Sequence, residues 1–420
     1  MSSEPKLFCK APFKTAVIDT SGALLPCCEF MANKSDLTPY KLNATDDWMF
    51  DQWWKNGLDP LREKMLKGEV DPGCEYCISK EKHRKKPTMA EVTKTLKEGG
   101  MVNALRGEGV SSLRTGTNQR FPDTFEQIKS DYLRKKREYP KQIELRLGNY
   151  CNLKCIMCGP YASSSIMAEY KKHKKEYNDF GIVSKWEDPH MPEQWYTYEH
   201  NRETLLDVAS KAGKIHFGGG EPFISPMLVE VLEAMSPNTY LRFNTNMTRI
   251  SDKVLKALEK FNTIEIEASI DGVGPHNEYY RNGSKWEQII ENFKKLKRCA
   301  NIKIDIYYLL QHTSLYTLKD VIAFAEEIDI NLLFGEVYPG SVDGSGHLTI
   351  NSASEKDVDN FKVWLNSSNS ISQTQRNTVQ LWLDSYKPNI NLNNRFIGYV
   401  NMLDKLRGTD FVKTFNPSWA

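Results

Sequence analysis

The sequence predicts an α/β protein built around a parallel sheet. Between residues 141 and 340, six short segments rich in β-branched and aromatic residues alternate with amphipathic helical patterns. Strands that alternate with helices in this way are joined by right-handed crossovers and lie parallel. A doubly wound sheet and a partial (β/α) barrel both fit the pattern, and both gather functional residues at the carboxyl ends of their strands.

The predicted strands and helices follow one another in a regular order. The strands cover residues 142–148, 214–218, 239–245, 264–271, 302–310 and 330–338. The helical patterns cover residues 160–177, 226–235, 251–261, 284–299 and 315–328. Helical spacing is clearest in the third of these helices, where apolar residues recur at Val254, Leu255, Leu258 and Phe261.

The regions around this alternating part differ from it in composition. Residues 1–80 are rich in cysteine, and residues 81–140 form a polar, charged stretch that we interpret as a linker with one or two helices. Residues 178–213, rich in Trp, Tyr and Glu, are predicted to be an insertion between the first helix and the second strand. Residues 341–420 are predicted to form a helical extension with three helices.

Composition and charge exclude several classes of protein. Among 420 residues, 40% are hydrophobic and 26% are charged, which is ordinary for a globular chain. The net charge of +2 gives no overall field for a polyanion, and we interpret the basic runs 80–86, 134–137 and 171–175 as solvated surfaces. Nucleic acid is therefore not an expected partner. No apolar run approaches the roughly 20 residues that span a bilayer, so no membrane association is expected.

The amino terminus lacks the continuous apolar segment of a secretory signal. The nine cysteines are therefore expected in a reducing, cytoplasmic compartment, where clustered thiols bind metals or take part in catalysis more often than they form disulfides.

Three cysteines lie close together directly after the first predicted strand. Cys151, Cys155 and Cys158 have the spacing C-x3-C-x2-C. A zinc site would need a fourth ligand, whereas three thiolates suit a [4Fe-4S] cube in which one iron stays open. An open iron can hold a substrate or a cofactor.

This motif, with Gly218-Gly219-Gly220-Glu221-Pro222 after the second strand, resembles the radical S-adenosylmethionine (SAM) superfamily. The resemblance covers residues 141–340 and implies a partial (β/α)6 TIM-like barrel. It also implies that the cluster binds SAM, that SAM is reductively cleaved to a 5′-deoxyadenosyl radical, and that this radical abstracts a substrate hydrogen. The protein then has to hold SAM, exclude water and aim the radical.

The resemblance implies a SAM contact at each matching position. Gly219, Gly220 and Glu221 are expected at the methionine amino group, because glycines let the backbone approach and a carboxylate accepts from an ammonium. The other expected contacts are Ser269 and Asp271 at the ribose, Arg281 at the methionine carboxylate, Asn244 and Asn246 as further polar contacts, and the backbone of Val337 and Tyr338 at the adenine. Met157 replaces the aromatic residue that this superfamily commonly places beside the adenine, which weakens that contact.

No residue can be named from the sequence as the acid, base or hydrogen donor of the reaction. By position, four residues fall near the carboxyl end of the barrel without an assigned role: Tyr279, Tyr280, Gln311 and His312.

The amino-terminal cysteines form a second candidate ligand set. Cys9 and Cys27 belong to a C-x12-G-x4-C pattern whose middle predicts a β-hairpin, and Cys74 and Cys77 form a C-x2-C pair. On geometry alone, four thiolates can hold either zinc or an iron–sulfur cluster.

The order of these cysteines and the Trp-rich segment between them resemble SPASM and twitch domains, which carry auxiliary [4Fe-4S] clusters beside a radical SAM barrel. Five cysteines suit one auxiliary cluster in a twitch-like module rather than the two clusters of a full SPASM domain. This module precedes the barrel instead of following it, which leaves its docking open. Cys28 is expected to be a bystander, although it could exchange roles with Cys27, and Cys299 is expected to be a buried core thiol.

Enzymes that combine these parts most often modify peptides or proteins, so the resemblance implies a peptide- or protein-modifying maturase. A carbohydrate or alcohol dehydrogenase or epimerase is the alternative, and an RNA-modifying enzyme is a third that the near-neutral charge disfavours. A flavodoxin or ferredoxin is the expected electron donor. The substrate, the oligomeric state and whether SAM is consumed or regenerated do not follow from the sequence.

Overall fold

The computed structural model describes residues 5–31, 34–35, 49–75, 77–78, 113–182, 195–337 and 345–418. Its central feature is one eight-stranded sheet with the strand order β2-β1-β3-β4-β5-β6-β7-β8. The strands are β1 (Thr15–Ile18), β2 (Leu24–Leu25), β3 (Gln142–Arg146), β4 (Lys214–Gly218), β5 (Tyr240–Thr245), β6 (Ile264–Ser269), β7 (Ile302–Leu310) and β8 (Asn331–Glu336). Only the β1–β2 pair is antiparallel among these strands.

Strands β3 to β8 confirm the six predicted strands, and they form the parallel sheet of a partial TIM-like barrel. Four helices of the barrel confirm predicted ones: α9 (Leu228–Ala234), α10 (Asp252–Leu258), α12 (Trp286–Leu296) and α13 (Ser314–Glu327). The predicted first helix is divided at His173 into α6 (Ser164–Lys172) and α7 (Lys174–Asp179). The short α11 (Pro275–Tyr280) lies between β6 and α12.

The predicted insertion is partly a crossover helix. Residues 183–194 lie outside the described part, but α8 (Glu199–Lys211) leads directly into β4 and buries Leu205 and Val208. Part of this range is therefore a helix that leads into a barrel strand, which its Trp and Tyr content did not indicate.

Alternation along the strands separates two faces of the sheet. Leu145, Phe217, Phe243 and Ile266 pair across β3 to β6 and are buried in the main core under the helices. The opposite face carries the polar residues Glu144, His216 and Arg242 in register. Because successive side chains of a strand point to opposite faces, one face packs the core and the other is left for polar chemistry.

The amino-terminal hairpin belongs to the same sheet. Its β1 pairs in parallel with β3, the first strand of the barrel, through Thr15–Gln142 to Ile18–Leu145. The hairpin turn is closed by the Asp19 carboxylate, which accepts from the backbone N–H groups of Ser21 at 2.8 Å and Ala23 at 3.0 Å. The hairpin therefore extends the barrel at its first edge, which the sequence had left open.

The amino-terminal helices are short. They are α1 (Ala11–Lys14), α2 (Phe50–Gln52), which continues into a π-helical turn, and α3 (Asp59–Lys67). The predicted linker contains α4 (Leu113–Arg120) and α5 (Phe125–Leu133), while residues 79–112, with the first basic run, lie outside the described part.

The carboxyl-terminal region is helical, as predicted, with one short helix more than expected. It contains α14 (Glu355–Ser367), α15 (Gln373–Asp384), α16 (Ile390–Arg407) and α17 (Phe411–Phe415). None of the helices in the described ranges combines the length and apolarity needed to cross a bilayer.

Candidate functional site

The loop that carries Cys151, Cys155 and Cys158 follows β3 and is held by backbone hydrogen bonds. Lys154 N–H donates to the Asn282 carbonyl at 2.8 Å, and Ile156 N–H donates to the Tyr280 carbonyl at 3.0 Å. Within the loop, the Ser163 hydroxyl donates to the Leu153 carbonyl at 2.7 Å. The cysteines are therefore presented by a loop that is fixed to the last residue of α11 and to the segment that follows it.

The three thiols lie in an environment that disfavours a lone thiolate. Burial raises the pKa of Cys158 to about 12 and raises the pKa of Cys151 and Cys155, and each of these values is also affected by a neighbouring charge. A thiolate here needs a cationic partner, and iron supplies one because metal ligation requires the deprotonated thiol. The donor set thus fits a cluster.

Two polar side chains already face these sulfurs. Asn246 Nδ2 lies 3.9 Å from Cys151 Sγ, and Arg281 Nη1 lies 3.9 Å from Cys155 Sγ. Across the described ranges, no three His, Cys, Asp or Glu side chains surround a single metal-ion position. A [4Fe-4S] cube does not require this arrangement, because each cysteine binds a different iron.

The Gly-Gly-Glu loop after β4 packs against the start of the cysteine loop. Glu221 N–H donates to the Tyr150 carbonyl at 2.6 Å, and Gly219 has a positive φ of 96°. A Cβ atom on Gly220 would lie 2.2 Å from the Tyr150 carbonyl oxygen. The two sequence motifs are therefore neighbours in space, and glycine is required where their backbones meet.

The Glu221 carboxylate is buried and holds the end of β5. It accepts from Phe223 N–H at 3.1 Å, from the Thr245 hydroxyl at 2.7 Å and from Asn246 N–H at 2.6 Å. Burial raises the pKa of Glu221 to about 7, and these hydrogen bonds oppose the rise. The sequence predicted an acceptor for a ligand ammonium but gave no sign of the three protein donors. A carboxylate has about four acceptor positions, so one remains for a ligand.

We expect Glu221→Gln to weaken SAM binding by about one to two decades, since a hydrogen bond to a charged group contributes about 1.5–3 kcal/mol. The new amide would also point an N–H group at Asn246 N–H. The iron content should stay unchanged, because Glu221 is not among the proposed ligands. Isothermal titration of SAM into the reconstituted protein measures the effect. Glu336→Gln, at the exposed end of β8, is the control, and equal losses in both variants would contradict the special role of Glu221.

Asp271 and Arg281 form a buried ion pair, with Arg281 Nη2 2.6 Å from Asp271 Oδ2. Asp271 Oδ1 also accepts from Leu309 N–H at 3.2 Å. The sequence assigned these two residues to different ends of SAM, whereas the structure joins them and places Arg281 beside Cys155. Ser269, at the end of β6, is half-buried.

The two predicted asparagines lie in different surroundings. Asn246 lies beside Cys151, and its side-chain oxygen accepts from the Thr248 backbone at 3.0 Å. Asn244 instead donates to Glu267 at 2.8 Å and contacts His216, on the polar face of the sheet. The structure thus brings Asn246, and not Asn244, to the cysteine loop.

The predicted adenine contacts lie at the end of β8 and in the cysteine loop. Val337 is buried, and its N–H donates to the Leu310 carbonyl at 3.1 Å. Met157 is half-buried against an aromatic cluster that includes Tyr279 and Tyr399. Tyr338 lies outside the described residues.

Buried polar atoms without a partner mark the same end of the barrel. The Tyr280 hydroxyl, Arg281 Nε and both amide atoms of Gln311 are buried and have no hydrogen-bond partner in the described part of the chain. The charges of Asp271, Arg281 and Cys155 act electrostatically on the Tyr280 hydroxyl. Because an unsatisfied buried group costs about 1–3 kcal/mol, these atoms indicate a site that a polar ligand completes. His312, in contrast, is satisfied: its Nδ1 lies 2.8 Å from the Ser352 hydroxyl, and its ring stacks on Phe396.

Helix α16 fixes the cysteine loop from outside the barrel. The Tyr399 hydroxyl donates to the Ile156 carbonyl at 2.9 Å, and Arg407 Nη1 donates to the Lys154 carbonyl at 2.9 Å. Although burial opposes the shift, hydrogen bonds from Arg407 and Lys154 lower the pKa of Glu169 to about 2. No signal in the sequence linked residues 399 and 407 to the cysteines, because the contact depends only on helix packing.

The four amino-terminal thiols interact electrostatically. Cys9 interacts with Cys27, Cys74 and Cys77, and Cys74 also interacts with Cys27 and Cys77. Burial raises the pKa of Cys77 to about 12 and raises the pKa of Cys27 and Cys74. Cys28 is exposed, and its thiol also reaches Glu144 on the polar face of β3.

Cys299 corrects an expectation. It is half-buried rather than a core residue, and its thiol lies 3.8 Å from the Lys295 carbonyl. It follows the end of α12, where the helix leaves the core. All nine cysteines are free.

Comparison with known proteins gives one family match and several distant structural likenesses. Residues 145–325 match the family model described as the Radical SAM superfamily. Streptococcus suis SuiB bound to S-adenosylmethionine has 13% identity and a TM-score of 0.34, with coverage of 59% of this chain and 51% of that chain. SuiB bound to its precursor peptide SuiA has 15% identity and a TM-score of 0.37, with coverage of 65% and 57%.

AnSMEcpe with bound AdoMet has 18% identity and a TM-score of 0.36, with coverage of 54% of this chain and 60% of that chain. The chain thus spans between about half and three-fifths of the length of these structures. No curated protein matches the sequence. The family match is therefore the comparison that bears on the chemistry of the site.

Proposed function

We propose that the chain is an enzyme of the radical SAM superfamily, whose family model matches residues 145–325, and that its substrate is a peptide or a protein. The observation that carries the proposal is the second thiol set. Electrostatic interactions link Cys9, Cys27, Cys74 and Cys77, and the hairpin between Cys9 and Cys27 shares a sheet with the barrel. In their order and spacing they resemble twitch modules, and barrels with such modules most often act on peptides.

A radical SAM domain uses a [4Fe-4S] cluster and SAM. We assign the cluster to Cys151, Cys155 and Cys158, since their buried thiols fit it. When bound there, the cluster and SAM would supply one-electron reduction of the SAM sulfonium and the abstraction of a hydrogen atom from the substrate. Glu221 and Asn246 then hold the polar end of SAM, and Arg281 supplies a positive charge beside Cys155.

We further propose that the amino-terminal set holds an auxiliary [4Fe-4S] cluster rather than zinc. Its four neighbouring thiols provide the ligands that such a cluster uses. A flavodoxin or ferredoxin is the proposed electron donor, and a reducing cytoplasm suits nine free cysteines.

Anaerobic reconstitution should yield about eight iron and eight sulfide per chain, because two cubes carry about four of each. Changing Cys74 and Cys77 to Ala should halve both counts and spare some SAM cleavage. Metal analysis and sulfide assay of the purified variants measure the change, with Cys28→Ala as the matched control. Four iron with one tightly bound zinc would contradict the auxiliary cluster and leave the triplet assignment intact.

The substrate class can be tested by SAM cleavage alone. A total cell extract that contains the substrate should raise 5′-deoxyadenosine formation above the uncoupled rate. For a peptide substrate, treating the extract with protease should remove the stimulation, and treating it with ribonuclease should not. Stimulation that survives protease would favour a carbohydrate or alcohol substrate, and stimulation lost to ribonuclease would favour RNA.

A further inference from the structure

The side-chain amide of Gln311 is the most completely unsatisfied buried polar group at the carboxyl end of the barrel. The residue is only 1% exposed, and neither Oε1 nor Nε2 has a hydrogen-bond partner in the part of the chain that is described. An amide can donate two hydrogen bonds and accept two. A buried amide that makes none of them is costly in the free protein and is suited to a ligand that brings both a donor and an acceptor.

The backbone of Gln311 is held firmly, so the unpartnered amide is not caused by a loosely placed residue. Gln311 N–H donates to the Ser314 hydroxyl at 3.0 Å, and Ser314 N–H donates to the Gln311 carbonyl at 3.0 Å. The Ser314 hydroxyl in turn donates to the Leu309 carbonyl at 3.1 Å. This turn closes β7 and begins α13, and it presents the amide from a fixed position.

Gln311 lies between the positions assigned to the ribose and the adenine of SAM. On one side, Leu309 N–H donates to Asp271, which is at the proposed ribose position. On the other side, the Leu310 carbonyl accepts from Val337 N–H, which is at the proposed adenine position. Gln311 directly follows β7, the strand that carries Tyr307 and Leu309. Tyr307 pairs with Ser269, the other proposed ribose contact.

We propose that the Gln311 amide binds the edge of the adenine base and makes the site selective for SAM over analogues with a different base. This inference rests on the proposed SAM-binding function. The adenine edge offers the 6-amino donor next to a ring-nitrogen acceptor, and a Gln amide matches this pair with its oxygen and its N–H. The side chain of Met157, which replaces an aromatic residue, offers no such pair. Val337 is assigned to the adenine through its backbone only.

The test compares two ligands and two proteins. The ligands are SAM and the SAM analogue whose base is purine, which lacks the 6-amino group and keeps the ring nitrogens. Isothermal titration into anaerobically reconstituted protein gives both affinities without any turnover. The wild-type protein should prefer SAM by about 10- to 100-fold, since the analogue leaves the amide oxygen buried and unpaired.

In Gln311→Leu the preference for SAM should fall to within about threefold of unity, because SAM loses affinity and the analogue loses much less. Iron content and melting temperature should match those of the wild type. Gln311→Met, nearly equal in length, provides the same comparison should the leucine variant not fold. Gln288→Leu removes an exposed amide from α12 and should keep the wild-type preference.

Equal weakening of both ligands in the Gln311 variants would overturn the proposal, because it would mean a structural effect without base recognition. An unchanged preference would also overturn it. Both results would leave the proposed SAM-binding function standing. A wild-type protein that holds its iron and binds neither ligand would overturn the proposed function and this assignment together.

Discussion

Replacement of Cys151, Cys155 and Cys158 together by Ala is expected to abolish the reductive cleavage of SAM. Each thiolate is assigned to a different iron, so the variant has no ligand left at this position. The iron content should fall by about half, and about four iron atoms should remain in the amino-terminal set. Chromatographic detection of 5′-deoxyadenosine under anaerobic reduction measures the first effect, and metal analysis measures the second.

The matched control for this variant is Cys299→Ala. Cys299 lies after α12, and its thiol contacts only a backbone carbonyl among the hydrogen bonds of the described residues. Its removal should leave both iron content and cleavage unchanged. Undiminished cleavage in the triple variant would refute the radical reading of this site altogether, whatever metal the protein contains.

Gly220→Ala is expected to have a large effect, although it adds only one methyl group. The new Cβ would lie 2.2 Å from the Tyr150 carbonyl oxygen and 2.8 Å from the Asn149 and Tyr150 carbonyl carbons. These are backbone atoms of the loop that leads into Cys151, so no side-chain rotation relieves the overlap. We expect a cost above about 3 kcal/mol, the upper end of ordinary overpacking. This cost falls on the folded protein, so the melting temperature should drop, and SAM binding should weaken as well because the loop that leads into Cys151 has to shift.

Gly213→Ala is the control for the glycine prediction. Gly213 precedes β4 in the same region of the chain, has no positive φ, and would place its Cβ with no heavy atom within 4 Å. Its replacement should leave SAM affinity and melting temperature close to the wild-type values. A Gly220→Ala protein that binds SAM as tightly as the Gly213→Ala protein would mean that the two loops are not in contact.

The sequence was sufficient for the features that depend on neighbours along the chain. The alternation in β3 to β8 and the helical spacing in α9, α10, α12 and α13 follow from which face of each element is buried, and each pattern is complete within one segment. The spacing of Cys151, Cys155 and Cys158 is local for the same reason. The position of Gly219, Gly220 and Glu221 directly after β4 is also local along the chain.

Tertiary structure decided the pairings between segments far apart in the chain. Hydrogen bonds join Glu221 to Thr245 and Asn246, Asp271 pairs with Arg281, and Tyr399 reaches Ile156. Likewise, β1 pairs with β3 across more than a hundred residues. Periodicity shows which side of an element is buried but not which element covers it, because many partners can bury the same apolar face. The choice is made when the whole set of faces packs at once, and only then do distant donors and acceptors come within hydrogen-bonding distance.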